Sequence, residues 1–490
     1  MTARPHLLLF NPDQFRSDAL AHLGNPQAST PHFDALARTE GLSFRHAYCQ
    51  NPVCTPSRCS FMTGWYPHVR GHRTMFHMLR PGEPMMLQIL KENGYFVYWG
   101  GKNDLTPGQL GYEAYCDIHA KVKPKAKNPH GWNEWRGPKN GPDWYSFLTG
   151  KLTSPPGETE YDDGDWGHTH AAVDFIRRYD GEKPLCVYLP FSYPHPPYGV
   201  EEPFYSLIPR DGSWKRTPAP ADWSGKPALL KGTFDRQHLG HFDEARWNEL
   251  RAVYLGMCAR VDAQFALVRA ALVERGFWEN TGAFVFSDHG DFTGDFGLVE
   301  KMQNTFQDCL TRTPFLMKAP ASYPVEPGIR EGLVENLDLS ATIYELAGIK
   351  PTYTSFGKSL LPQLARPGLE HRDAVFCEGG RLPGEAHAKE LESTRNMVDP
   401  SESLYWPRVG LQQGDGPEHG KAVMCRTRTR KYVRRLLEKD ELYDLEKDPA
   451  ETRNLIEDPA YASDLAALRE RLLTFFMETG DVVPWVGDAR

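Results

Sequence analysis

The sequence predicts an α/β fold: a large central sheet, mainly parallel or mixed and flanked by helices, with a smaller C-terminal α+β domain. Three observations carry that expectation. Short apolar runs at 7–10, 185–189 and 283–286 read as buried parallel strands, and each runs into polar residues at its carboxyl end. Helix-periodic segments alternate with them, the strongest spanning 247–275. From about residue 366 the pattern changes to irregular polar sequence, then to alternating strands over 421–437 and a terminal helix over 463–477. The expected division is a catalytic α/β domain, 1–365, and the smaller domain, 366–490.

Between the strands the punctuation is local. Thr30-Pro31 opens a helix, with Thr30 as its cap and the proline in the first turn. A second helix over 85–92 is ended by Asn93-Gly94, and the strand at 95–99 runs straight into Gly100-Gly101-Lys102. The stretch 121–156 is rich in Lys, Pro, Gly and Trp and reads as a long surface insertion.

Composition narrows the class. The 490 residues are 40% hydrophobic and 24% charged, with a formal net charge of -8, which argues against a general nucleic-acid binder. No apolar run is long enough to span a membrane. Only four apolar residues precede Asn11, too few for a signal-peptide core, so a cytoplasmic location is expected. Nine cysteines without a CxxC pair fit a reducing compartment better than a disulfide framework.

Two segments carry the chemistry. In Cys54-Thr55-Pro56-Ser57-Arg58, Pro56 suits a first helical turn and Thr55 a cap just before it. Such a helix aims free N–H groups and its positive dipole end at whatever Cys54 carries. Arg58 adds a permanent charge with a planar fork suited to a tetrahedral oxyanion. In Ser287-Asp288-His289-Gly290-Asp291, a carboxylate and an imidazole follow a strand directly, and Asp13-Gln14 follow another. Asp13, Gln14, Asp288 and His289 together make an oxygen-rich site with one nitrogen ligand, which suits Ca²⁺ or Mg²⁺ and is compatible with Mn²⁺. Taken singly, each of these is a common turn or cap residue.

In this order and spacing the segments resemble the sulfatase family of the alkaline phosphatase superfamily, whose C-x-P-S-R signature Cys54 to Arg58 matches. The resemblance extends to the run 30–37, to Ser60 through Gly64, to the helix-like run from Asn336 to Thr342, and to Glu441-Leu442-Tyr443-Asp444-Leu445 with Asp448, Pro449 and Glu451. It covers nearly the whole chain and implies an alkaline phosphatase-like fold. It also implies that a maturation enzyme oxidises Cys54 to formylglycine, whose hydrate attacks sulfur and expels the alcohol. The second hydroxyl of the hydrate then expels sulfate and restores the aldehyde. One divalent metal, Ca²⁺ first and Mg²⁺ or Mn²⁺ next, would be held by Asp13, Gln14, Asp288, His289 and the group at position 54. Arg58 would steady the formylglycine, Lys102 and Lys301 would contact sulfate, and His195 would protonate the leaving alcohol.

Asp104 stands where many family members have a histidine, which leaves it as a base or as a mark of a different ester. His77 lies where related phosphonate and phosphodiester hydrolases place a polar substrate contact. The substrate implied is a small-molecule or carbohydrate O-sulfate ester. Phosphonate monoester or phosphodiester hydrolysis is the alternative, and a non-catalytic anion binder with Cys54 as a thiol is the third reading. Specificity would come from the segments 121–156, 199–240 and 379–420, with Trp132, Trp135, Trp144, Lys215, Arg216, Trp406 and Arg408 as lining residues.

Overall fold

Strands organise the chain, those at its centre apolar and buried on both faces, as a computed structural model describing residues 4–126 and 134–487 makes plain. In chain order they are β1 (His6–Pro12), β2 (Leu42–Tyr48), β3 (Phe96–Trp99), β4 (Ile118–His119) and β5 (Leu148–Lys151). Then come β6 (Leu185–Phe191), β7 (Tyr198–Val200), β8 (Thr281–Phe286), β9 (Arg312–Thr313), β10 (Phe315–Lys318) and β11 (Gly328–Glu335). Beyond them lie β12 (Val375–Gly379), β13 (Ala422–Arg426), β14 (Arg430–Arg435) and β15 (Glu441–Asp444).

The main sheet runs β11-β2-β10-β8-β1-β6-β3-β4, with β9 attached to β2. β1 pairs in parallel with β6 and β8, while β10 is antiparallel to β8 and β2, so the sheet is mixed. Side chains alternate across it. Leu8 and Phe10 pack into the core under the long helix Glu244–Glu274, whereas Leu7 and Leu9 pack into the opposite core with the helices Met86–Glu92 and Asp338–Ala347. Full burial of each such side chain contributes about 1.5–3 kcal/mol, and truncation to alanine costs about 2–5 kcal/mol.

The helix opened by Thr30-Pro31 spans Pro31–Ala35, but Thr30 does not cap it through its side chain. Its hydroxyl instead accepts the Ala21 N–H and donates to Asp34. The exposed N–H groups of His32 and Phe33 are taken by Asp262, a carboxylate from the long helix. The cap is supplied across the fold.

The C-terminal sheet β12-β13-β14-β15 is antiparallel, with the helix Ala462–Thr479 on it. Its core is shared with the rest of the chain: Tyr66 and Leu337 join Phe376 and Phe475, and Tyr48, Cys49 and Leu333 join Val375 and Met424. The described part of the stretch 121–156 carries regular structure and buried contacts. It holds β5, paired in parallel with β7, and Arg136, whose guanidinium lies 3.6 Å from the Trp144 ring and donates to the Glu402 carbonyl. Trp132 lies outside the described residues. Among the described residues no helix is long and apolar enough to cross a membrane.

Candidate active site

β1 and β8 are parallel neighbours, so their carboxyl ends bring Asp13-Gln14 and Asp288-His289 together. Ligand sites gather at such strand ends in α/β sheets. The third contributor is the helix Cys54–Thr63, which begins at Cys54 itself, with Val53 as the flanking residue. Thr55 therefore lies inside the first turn and is not the cap. The turn is instead tied down by Ser57, whose hydroxyl donates to the Asp288 carbonyl at 2.6 Å.

The Cys54 Sγ lies 3.3 Å from His289 Nε2, 3.6 Å from an Asp13 oxygen and 3.9 Å from Lys102 Nζ. One ligand atom from each of Asp13, Cys54, Asp288 and His289 falls within 4.8 Å of the others, and all four residues are buried. His289 Nδ1 sits 3.0 Å from the Gly290 carbonyl, which fixes the proton on that nitrogen. Its Nε2 lone pair is thereby left facing Asp13 and Asp288 oxygens at 3.7 and 3.8 Å. Two carboxylates and an unprotonated ring nitrogen converge beside the Cys54 thiol. That donor set fits a divalent cation, oriented by the backbone contact behind the imidazole.

Arg58 is fully buried and bridges the two carboxylates of the cluster. Nε donates to Asp288 at 3.0 Å, Nη2 to Asp13 at 2.9 Å and Nη1 to the Asn11 side chain at 3.1 Å. Lys102 Nζ reaches Asp13 at 2.7 Å and Asp104 at 2.8 Å. Burial by itself would raise the Asp13 carboxyl, but Lys102 and Arg58 hold it well below the usual carboxylate range. Burial, with Asp13 beside it, pushes the Cys54 thiol well up, so the unmodified side chain is a poor thiolate nucleophile. Burial keeps His289 below its ordinary value and hence neutral.

Lys301 forms the facing wall. It is fully buried, and its Nζ donates to Gln14 Oε1 at 2.8 Å and to His195 Nε2 at 2.8 Å. Glu300 neutralises it at 3.0 Å. Burial opposes the Lys301 charge, yet the neighbouring thiol and Glu300 raise its pKa well above the ordinary lysine value. His195 Nδ1 lies 2.6 Å from the Pro196 carbonyl. Gln14 adopts the left-handed backbone region at φ 65°, and its amide donates to Asp291 at 2.5 Å.

Other expectations land differently. Asp104 is joined to Lys102 by an ion pair. His77 makes local bonds, with Nδ1 2.7 Å from the Thr74 hydroxyl. Arg408 is not a surface-loop residue. It is buried and ion-paired with Glu300 and Glu392. Trp144 is covered by Arg136, and Arg216 pairs with Glu244. Sequence reasoning assigned no role to Asn11, Asp291, Glu300 or Glu392. Asn11 and Asp291 carried the same signal as their neighbours, a polar residue just past an apolar strand, whereas nothing local marks Glu300 or Glu392.

Comparison with known proteins bears on this arrangement. The sulfatase family model matches residues 5–349. The chain is 27% identical to the multifunctional alkaline phosphatase superfamily protein PehA of Trinickia caryophylli, over 98% of this chain and 96% of that protein. It is 26% identical to a choline-sulfatase of Rhizobium meliloti, over 95% of this chain and 85% of that one. The phosphonate monoester hydrolase of Agrobacterium radiobacter shares the fold, with a TM-score of 0.74 at 21% identity over 97% of this chain and 96% of that one. With the match to the family model running from before β1 to beyond β11, the chain belongs to the sulfatase family, and its sulfatase relatives support a sulfuric ester hydrolase.

Proposed function

We propose that this chain hydrolyses an O-sulfate ester of a carbohydrate or an aryl alcohol, using formylglycine made from Cys54 by a maturation enzyme. The observation that carries the reading is the position of Cys54: at a helix N-terminus, within 4.8 Å of three metal-type ligands and beside Lys102. Asp13, Asp288, His289 and position 54 would hold one divalent cation, with Gln14 adjoining, and Ca²⁺ suits the oxygen-rich set best. When bound, the ion lowers the pKa of a nucleophilic hydroxyl and neutralises charge on the ester oxygen. Formylglycine supplies that hydroxyl, which neither serine nor the buried thiol could provide with the same leaving route.

The chain's own residues do the rest. Arg58 pairs with the carboxylates of both Asp13 and Asp288 in a buried site. Lys102 and Lys301 stand on either side as cations for the ester's anionic oxygens. Lys301 stays protonated and orients His195 across 2.8 Å, and His195 is the group assigned to protonate the departing alcohol oxygen. Asp104 holds Lys102 and stands ready as a base, and His77 lies further out as a substrate contact. We assign the chemistry to 1–365 and treat 366–490 as the unit that closes the site's far wall.

A second reading, phosphonate monoester or phosphodiester hydrolysis, is favoured by the likeness to PehA and to the phosphonate monoester hydrolase, and by Asp104 in place of histidine. Peptide mass spectrometry across Cys54, combined with parallel assays on a sulfate ester and a phosphodiester, tests both. Formylglycine at 54 with faster sulfate-ester turnover supports the first reading. Faster phosphodiester turnover supports the second, and an unmodified Cys54 in fully active protein sinks both.

A further inference from the structure

We infer that Arg408 is a positioning residue for anion binding, acting through Glu300 on Lys301. The inference rests on the reading of Lys301 as a cation for the substrate's anionic oxygens. Four charges of alternating sign form a line from the reaction centre into the C-terminal unit. Lys301 Nζ meets Glu300 Oε1 at 3.0 Å, Glu300 Oε2 meets Arg408 Nε at 3.0 Å, and Arg408 Nη2 meets Glu392. The Lys301, Glu300 and Arg408 side chains are at most 3% exposed, so water screens none of these pairs effectively.

Glu300 is held from several sides. It sits in the left-handed backbone region at φ 69°, a costly conformation for a residue with a Cβ. Its N–H donates to the Tyr198 hydroxyl at 2.8 Å; that hydroxyl donates to Asp291 at 2.7 Å, and Asp291 accepts from the Gln14 amide. Gln14 in turn accepts from Lys301, which closes a ring around the ammonium group. Arg408 comes from a different part of the chain, the short helix Trp406–Gln412. It divides the charge of Glu300 between two cations. Without it, Glu300 would draw on Lys301 alone, pull Nζ away from Gln14 and His195, and leave an excess negative charge behind an anion site.

The charge arithmetic defines the test. In otherwise intact protein, Arg408→Met should weaken binding of inorganic sulfate, measured by calorimetry, by about 10–100-fold, the range typical of residues that orient a binding group from behind. KM for whichever ester the wild type hydrolyses should rise in parallel, with a smaller change in kcat. Adding Glu300→Gln to that variant should recover most of the sulfate affinity, because Lys301 then carries an unshared charge. A merely structural role for Arg408 predicts no such recovery. Should Arg408→Met not fold, Arg408→Lys carries the test, since it keeps the charge and loses the fork, and the affinity should fall to an intermediate level. Wild-type sulfate affinity in folded Arg408→Met, or no recovery in the double variant, would overturn the inference. Sulfate binding needs no turnover, so a protein that binds sulfate with this dependence and hydrolyses neither ester would sink the functional reading alone.

Discussion

Asp13, Asp288 and His289 stand at the ends of adjacent strands and Cys54 at a helix terminus, whereas Lys301, Glu300, Glu392 and Arg408 reach the same site from loops and a short C-terminal helix. The first wall takes its geometry from strand register: once β1 pairs with β8, the two ligand pairs are neighbours. The second wall has no register to lean on, and each charge is placed by another loop residue. The difference separates two tasks. The groups proposed to hold a cation and a nucleophile sit at the ends of rigid elements, and the groups proposed to contact the ester sit where sequence can vary without unfolding the sheet.

Four changes would break or sharpen that contrast. The largest effect belongs to the rigid wall: Cys54→Ala should lower kcat by at least about 10⁴-fold on any ester the wild type hydrolyses, as loss of a nucleophile typically does. A fall of less than about tenfold would remove Cys54 from the chemistry. Next comes Arg58→Met, which leaves buried Asp288 without its guanidinium partner and Asp13 with Lys102 alone, and should destabilise the fold by about 3–5 kcal/mol in urea unfolding. Unchanged stability would mean that Arg58 serves substrate rather than scaffold.

On the loop wall the effects are smaller. His195→Gln should slow hydrolysis of an ester with a poor leaving alcohol by about 10²-fold, and that of a nitrophenyl ester much less. Equal slowing on both would exclude proton donation by His195. The smallest change concerns Glu390, fully buried beside Glu392, whose carboxyl is raised by burial and by that neighbour from 4.5 to about 7. An acid whose folded pKa is raised contributes stability below its unfolded value and loses it as pH rises through the folded one. Wild-type Tm should therefore fall between pH 5 and pH 8 by more than that of Glu390→Gln. Parallel pH profiles for the two proteins would show that Glu390 is already ionised in the fold.

Much of the rigid wall was legible in the sequence because its signals are local. Apolar runs mark the strands, the polar residue after each run marks the strand end, and Pro56 marks the helix start to within two residues. The loop wall was legible only in part. Lys301 was expected near sulfate, yet its burial and its partners depend on Gln14, Glu300 and His195, far apart in the chain. Arg58 was expected to steady the formylglycine, and that it also bridges Asp13 and Asp288 was not foreseen. A guanidinium goes where two buried carboxylates need it, and only their convergence sets that place.

The sequence by itself determined the class of fold and the family, and it named residues that the fold gathers at the strand ends, since periodicity and short motifs are properties of neighbouring residues. Tertiary structure decided which distant groups complete them: Asp262 as the cap for His32 and Phe33, Arg58 as the counter-charge for both carboxylates, and Arg408 as the partner of Glu300. Each of these satisfies a buried charge or an open N–H. Such a demand arises only after folding has excluded water, so its answer comes from whichever residue the fold brings within reach.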